Sequence, residues 1–321
     1  MEGTRMTVRF GFSLQGRGAL ADRDTLGTLA RRAEALGYDS IFVTDRLVIP
    51  AAATSAYPYS PTGAFPLGPD EPWLEALTAL MWLATITERI RVGTSVLVVP
   101  YRNPIATAKA LATADHLSGG RIILGAGVGW WREEFAALGV PFAERAARTD
   151  EALRLMKAVW TGERVSFEGR FWRVQDAGGT RPRPAQRPHI PVWIGGHSEG
   201  ALRRVVALAD GWHPLGLRPP VLLHPEELGG KIRRLRQLAE EAGRDPATLT
   251  VAFKAPVALR REPGGPRGVL AGTAAEVAED LTRYVAAGVE HFVLDFTEPT
   301  PAGMLETLER FAAGVRPRVG R

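Results

Sequence analysis

Apolar and polar positions along this chain repeat a strand-then-helix rhythm. Val8–Leu14 alternates as a first strand, and Asp22–Leu36 follows with Leu26, Leu29, Ala30 and Ala33 on one helical face. Gly37 stands where a helix C-cap is needed. Asp39–Asp45 (DSIFVTD) reads as the second strand, Pro72–Ile86 as a helix, Arg91–Val98 as the third strand and Pro104–Leu117 as its helix. Ile122, Ile123 and Leu124 open a fourth strand behind the Gly119-Gly120 turn, and Glu144–Trp160 is a helix with Leu153, Met156 and Trp160 turned inward. Pro191–Gly196, Trp212–Leu215, Leu249–Leu259 and His291–Phe296 complete the strands. Their helices are Ser198–Leu208, Pro225–Ala242, Thr273–Ala287 and Pro301–Val315. ALGYDSIFV (Ala35–Val43) and AAGVEHFVL (Ala286–Leu294) share a helix end, a capping glycine, an acidic residue and a buried strand. Strands and helices alternating in this way predict an α/β protein, a (β/α)8 TIM barrel with insertions after strands 2 and 4. A doubly wound open sheet has the same periodicity, which by itself does not show closure.

Two stretches break the rhythm. Arg46–Asp70 is rich in Pro, Ala and Tyr and long for a structureless connection, which points to a lid over an active site. Residues 161–190 hold a short alternating hairpin, SFEGRFWRV, and a Pro/Arg loop, expected as an insertion within one domain spanning 1–321. The chain has 321 residues, enough for one large barrel, and lacks any apolar run of the ~18–20 residues a membrane span needs. The opening MEGTRMTVRF has no apolar segment of the secretory kind, and cysteine is absent. Disulfides, thiolate metal sites and cysteine nucleophiles are thereby excluded, and the cytoplasm is the default location. The formal charge of +5 comes from scattered arginine, and the densest run, KIRRLR (Lys231–Arg236), sits on a helix followed by Glu240 and Glu241. That is a solvated helix face, not a nucleic-acid surface.

Chemistry in a barrel gathers at the C-terminal ends of its strands. Those ends read Leu14-Gln15-Gly16, Thr44-Asp45-Arg46, Ser95-Val96-Leu97, Gly127-Val128-Gly129, Gly195-Gly196-His197-Ser198 and Asp295. In RIILGAGVGWWREEF (Arg121–Phe135) a buried strand turns into alternating Gly125, Gly127 and Gly129, which weakens it and needs a reason. Either a flat cofactor lies against the backbone there, or the glycines pack against a neighbouring helix. Gly195-Gly196-His197-Ser198, between an apolar strand and a helix start, is a phosphate cradle or a plain capped turn. Asp45 and Arg46 either contact the polar edge of a cofactor ring or pair to tether the lid. The glycine spacing does not meet the dinucleotide fingerprint, and HExxH and GxxxxGKS are missing. The six histidines are scattered, so no metal site is expected.

Four ordered stretches resemble the bacterial luciferase-like monooxygenase superfamily, in particular its deazaflavin (F420)-dependent oxidoreductase branch. They are GTSVLVVPYRNP, LSGGRIILGAGVGWWREEFAALGVPFAERAARTDE, WTGERVSFEGRFWRV and IPVWIGGHSEGALRRVVALADGW. The resemblance implies a homodimeric barrel acting on a small organic molecule, with F420, or alternatively FMN, at the mouth. It maps a non-proline cis peptide onto Ser95-Val96-Leu97, a cofactor face onto Gly127-Val128-Gly129, the phosphate turn onto Gly195-Gly196-His197-Ser198, and an acidic ring neighbour onto Asp45. It also departs from the branch. Its sugar-phosphate dehydrogenases carry a histidine and a glutamate where this chain has Arg46 and Trp130, so that acid–base pair is missing and no catalytic residue is assigned. Phe12, Arg46, Trp130 and Trp131 are expected to form the substrate pocket, with Arg46 and Arg102 placed to meet the anionic tail of F420. The reading is hydride transfer between reduced F420 and an organic substrate; the alternatives are an FMN-dependent monooxygenase and a cofactor-binding protein without turnover.

Overall fold

Short strands of Ile, Val and Phe, each followed by an amphipathic helix, form parallel ladders whose faces are both covered. The computed structural model describes residues 8–52, 54–265 and 267–319. The first seven residues, on which part of the expectation about a leader rests, lie outside them. The strands are β1 (Arg9–Ser13), β2 (Ser40–Val43), β3 (Arg91–Thr94), β4 (Ile122–Gly127), β5 (Val192–Gly195), β6 (Gly211–His213), β7 (Thr250–Leu259) and β8 (His291–Phe296). Each pairs in parallel with the next, and β8 pairs with β1 through Arg9↔His291 to Phe12↔Leu294. The ring closes at its shortest member: β6 pairs with both β5 and β7. That double pairing excludes the open sheet and makes the fold a closed (β/α)8 barrel.

Helices α1 (Arg23–Ala35), α2 (Ala76–Ile86), α3 (Pro104–Leu117), α4 (Arg132–Ala137), α5 (Arg145–Thr161), α6 (Glu199–Leu208), α7 (Pro225–Glu241), α8 (Ala274–Ala287) and α9 (Pro301–Arg310) surround it. Most boundaries follow the hydrophobic pattern, but α2 begins at Ala76 and not at Pro72. The Glu75 carboxylate accepts from Thr78 N at 2.8 Å and caps the helix there, while Gly18 N–Pro72 O and Leu74 N–Gly16 O bonds hold the preceding residues extended. Between β4 and β5 lie α4, α5 and an antiparallel hairpin of Arg164–Glu168 with Arg173–Gly178.

The core has two layers. Phe10, Phe12, Leu14, Ile41 and Val92 point outward against the helices, and Phe42, Ile123, Trp193, Ala252 and Val293 fill the barrel. Phe42 stacks on Trp193 with centroids 5.6 Å apart, plugging the interior below its C-terminal mouth. No helix among the described residues is long and apolar enough to cross a membrane.

Candidate active site

The mouth opens into a cavity of about 450 Å³. One wall comes from β3, β4 and β5. After Thr94 the chain passes through a cis Ser95–Val96 peptide, at the expected place, and Leu97–Val98 then pairs with Ala126–Gly127. A Cβ at Gly125 would lie 1.9 Å from the Thr94 carbonyl oxygen, and one at Gly127 would lie 2.6 Å from Val96 Cγ2. These two glycines therefore answer to the bulge of the neighbouring strand, not to a helix. Gly125 does not reach the cavity at all, whereas Gly127, Val128 and Gly129 line it, with Gly129 at φ +79° against Phe135 and Val98. Ser95 and Val96 also line it, while Leu97 faces the outer core and takes no part.

Behind that wall, His213 on β6 donates Nδ1–H to Ala252 O at 2.7 Å, which leaves Nε2 to accept the Ser95 hydroxyl at 2.8 Å. Burial lowers the imidazole to about 4, so it is neutral and both its nitrogens are engaged.

At the turn after β5, Gly195 and Gly196 line the cavity, and Gly196 takes φ +93°, which brings backbone to the surface. His197 and Ser198 stand outside the lining. Ser198 caps α6 by accepting from Ala201 N at 3.2 Å, as the plain reading of the turn requires. His197 is half-buried, its Nδ1 is buried with no partner among the described residues, and Lys231 Nζ donates to its carbonyl at 3.2 Å. Burial and the Lys231 charge both lower the His197 pKa. The turn thus combines a helix N-terminus, an ammonium and an unpaired imidazole nitrogen, a set suited to an anion.

Asp45 lies on the cavity, but Arg46 reaches only its backbone carbonyl, at 3.2 Å, and not its carboxylate. Its carboxylate accepts Val98 N at 2.9 Å and both Arg102 Nη atoms at 2.8 and 2.7 Å, and Arg102 also bonds Glu75 at 2.6 Å. Arg102 is consumed by these pairs and is not free to meet an anionic tail. Arg46 is likewise occupied. Its guanidinium lies 5.5, 5.3 and 5.4 Å from the ring centroids of Phe65, Trp130 and Trp131, with Glu134 at 3.5 Å. Trp130 lines the cavity, and Trp131 stacks behind it at 4.9 Å and 10°. Phe12, expected in the pocket, packs outward on Tyr38 at 5.7 Å. The pleat of β1 turns Gly11 and Ser13 inward, so that expectation was one residue out of phase.

The segment after β2 covers the mouth with Tyr57, Tyr59 and Phe65 and is anchored on α4. Glu133 accepts Thr54 N at 2.7 Å, Thr54 Oγ1 at 2.9 Å and Ser55 N at 3.0 Å. Buried Glu134 accepts Leu47 N at 2.9 Å and the Tyr101 hydroxyl at 2.9 Å. The Arg-Glu-Glu helix start after the two tryptophans carries both anchors.

The opposite wall holds what sequence reasoning missed. Lys254 on β7 is 7% exposed and lines the cavity, donating to Ser13 Oγ at 3.2 Å. Asp295, named in sequence only as a strand end, is hydrogen-bonded by Gln15 and Arg218, and Arg17 bonds Gln15 in turn. Burial lowers Lys254 to about 8, partly offset by Asp295 and reinforced by Arg218 and Arg17. The available signal was a charge inside the apolar run VAFKAPVAL.

Residues 6–264 match the family described as luciferase-like monooxygenase. The chain belongs to that family. Members of the luciferase-like family are flavin- or deazaflavin-dependent oxidoreductases and monooxygenases. Among similar proteins, an F420-dependent glucose-6-phosphate dehydrogenase of Intrasporangium calvum is 30% identical, the match covering 89% of this chain and 92% of that one. An FMNH2-dependent dimethylsulfone monooxygenase of Pseudomonas putida is 37% identical over 43% of this chain and 38% of its own length. The crystal structure of a monooxygenase from Streptomyces bottropensis superposes with a TM-score of 0.77 at 20% identity, covering 96% of this chain and 99% of that chain.

Proposed function

We infer that this luciferase-like protein is an F420-dependent oxidoreductase that passes a hydride between reduced deazaflavin and a small organic substrate, as a cytoplasmic homodimer. The observation that carries the reading is a cavity with two unlike walls. One is a flat face of Ser95, Val96, Gly127, Val128 and Gly129 ending in the Gly195–Gly196 turn; the other is polar and carries Lys254 and Asp295. A planar ring fits the first wall, with its phosphate at Gly195–Ser198, and a substrate fits against the second. When bound, the cofactor supplies the two-electron chemistry. The protein positions the ring face, holds the Ser95 hydroxyl through His213, and excludes water with Tyr57, Tyr59, Phe65 and Trp130 of the lid and rim. Asp45 acts here as the brace that ties Arg102 to Val98.

The choice of F420 over FMN is supported by the nearly end-to-end match to the F420-dependent relative. The second reading, an FMN-dependent monooxygenase, draws on the shorter but more identical FMNH2-dependent relative. With Arg46 and Arg102 engaged, Arg218 bonded to Asp295 and Arg17 to Gln15, the cation offered to an anionic tail is Lys231 beside the turn, and an exposed contact there contributes no more than about 1 kcal/mol. Parallel fluorescence titrations with F420 and FMN at two salt concentrations test the choice. The expected outcome is salt-sensitive F420 binding with weak FMN binding, and tight FMN binding without an F420 response overturns it.

A further inference from the structure

We propose that Lys254 is the proton donor of the reaction, giving its ammonium proton to a carbonyl oxygen as hydride reaches the carbonyl carbon, so that the substrate is an aldehyde or ketone. The proposal rests on the hydride-transfer reading above and assigns the acid that the departures at Arg46 and Trp130 leave open.

The residue type is the first argument. The chain has only four lysines among forty Lys and Arg residues. Among the described residues, Lys254 is the only one of the forty that is buried. Arginine stays protonated at any working pH, whereas a buried ammonium can give up its proton near neutrality. A lysine at this one position, in a chain that otherwise uses arginine, retains a proton that can move.

The second argument is placement. Lys254 stands on β7, four strands around the ring from the β3 bulge at Ser95–Val96, and so faces the ring wall across the cavity. An ammonium has three N–H donors, and among the described residues Ser13 Oγ is its only hydrogen-bond acceptor. The groups facing it are Ser13 from β1, Asp295 from β8, His213 from β6, and Arg17 and Arg218 from the loops. Apart from Ser13, each has a partner of its own, Arg17 on Gln15 and Arg218 on Asp295. Asp295 accepts from Gln15 and Arg218, and neutral His213 is bonded at both nitrogens. Asp45, the other carboxylate on the cavity, already accepts three hydrogen bonds. Burial raises the Tyr57 and Tyr59 phenols, which makes them weaker acids, whereas the lowered Lys254 is protonated yet poised at neutral pH.

The step balances. The carbonyl carbon takes the hydride and its electron pair from a reduced deazaflavin or flavin, and the C=O π pair moves to oxygen. That oxygen binds the proton from Lys254, whose N–H pair remains on Nζ as a neutral amine. The substrate is reduced by two electrons to an alcohol, the cofactor is oxidised by two, and Lys254 regains a proton from water through the mouth.

Two measurements test this. In 15N-lysine NMR of the folded protein without cofactor, four side-chain signals are expected, and the one lost in Lys254→Met should titrate near 8. Titration of that signal above 10 overturns the proposal without any turnover assay. Steady-state reduction of an aldehyde and ketone panel by F420H2 is the second readout. Lys254→Met and Lys254→Arg should each lower kcat by roughly 100-fold or more and abolish the solvent isotope effect, with F420 affinity unchanged. Wild-type rates in either folded variant remove the proton-donor assignment alone. A wild type that reduces no carbonyl and turns over only with FMNH2 and oxygen removes the hydride-transfer reading, and the assignment with it.

Discussion

A single missing side chain shapes the wall where the cofactor is proposed to lie. Thr94 donates its hydroxyl to Gly125 O at 2.7 Å, and the Thr94 carbonyl occupies the space where a Gly125 side chain would begin. Backbone oxygen cannot swing aside as a side chain can, so Gly125→Ala must push β3 and β4 apart. The expected cost is about 3 kcal/mol or more, at the upper end for overpacking, read as a lower midpoint in urea with an unchanged slope. Unchanged stability would mean that the bulge moves freely. Residue types at the site were legible in sequence wherever a glycine pattern or strand end marked them, as at Gly127, Gly129, Gly195 and Gly196. They were not legible where only the pleat decides. Phe12 and Leu97 lie at the right height but on the outer face, and Lys254 lies on the inner face of a strand that reads as continuous core.

At the scale of elements, the outcome turned on side chains that set helix starts and anchor loops. Strands and helices were legible because apolar periodicity decides their burial. The start of α2 was not, because Glu75 overrides the pattern by capping at Ala76. In the short helix α4, Glu133 and Glu134 hold the segment that roofs the cavity. Hydrogen bonds from Ser55 and Thr54 hold the Glu133 carboxyl down to about 2, below its ordinary 4.5. The latch is therefore fully present above 4.5 and is lost only as pH falls through about 2. Hydrogen exchange should find the Thr54 and Ser55 amides still protected at pH 4. In Glu133→Ala they should exchange at least tenfold faster at pH 7, with KM raised and the thermal midpoint nearly unmoved. Equal exchange in the two proteins would show that the segment is held by its aromatic contacts alone.

For the whole molecule, the buried ammonium sets a pH dependence of global stability. The native state holds Lys254 near 8, while the unfolded chain holds it near 10.5. Below about 8 both states are protonated and the fold carries the full cost of burying the charge. Between about 8 and 10.5 the unfolded state binds more protons, so this cost fades as pH rises. Lys254→Met should accordingly be more stable than wild type at pH 7, by up to about 3 kcal/mol, with the difference shrinking toward pH 10.5. Denaturant midpoints at pH 7 and pH 10 measure it, and a variant less stable at both would show that the Ser13 and Asp295 contacts outweigh burial. A barrel that tolerates such a charge at its mouth gives up stability where chemistry requires it.

The parallel indoles of Trp130 and Trp131 have an optical consequence. At 4.9 Å and 10° the strong far-ultraviolet transitions of the two indoles couple, so the pair contributes a signed couplet to far-ultraviolet circular dichroism that depends on their mutual orientation. Tyr57 touches one ring at 5.1 Å and Phe65 the other at 4.7 Å, so displacement of the roof segment alters that couplet. A deazaflavin or flavin in the adjoining cavity absorbs where tryptophan emits and drains the emission by resonance energy transfer. Occupancy and closure thus appear in two separate signals of the unlabelled protein, emission for the first and dichroism for the second.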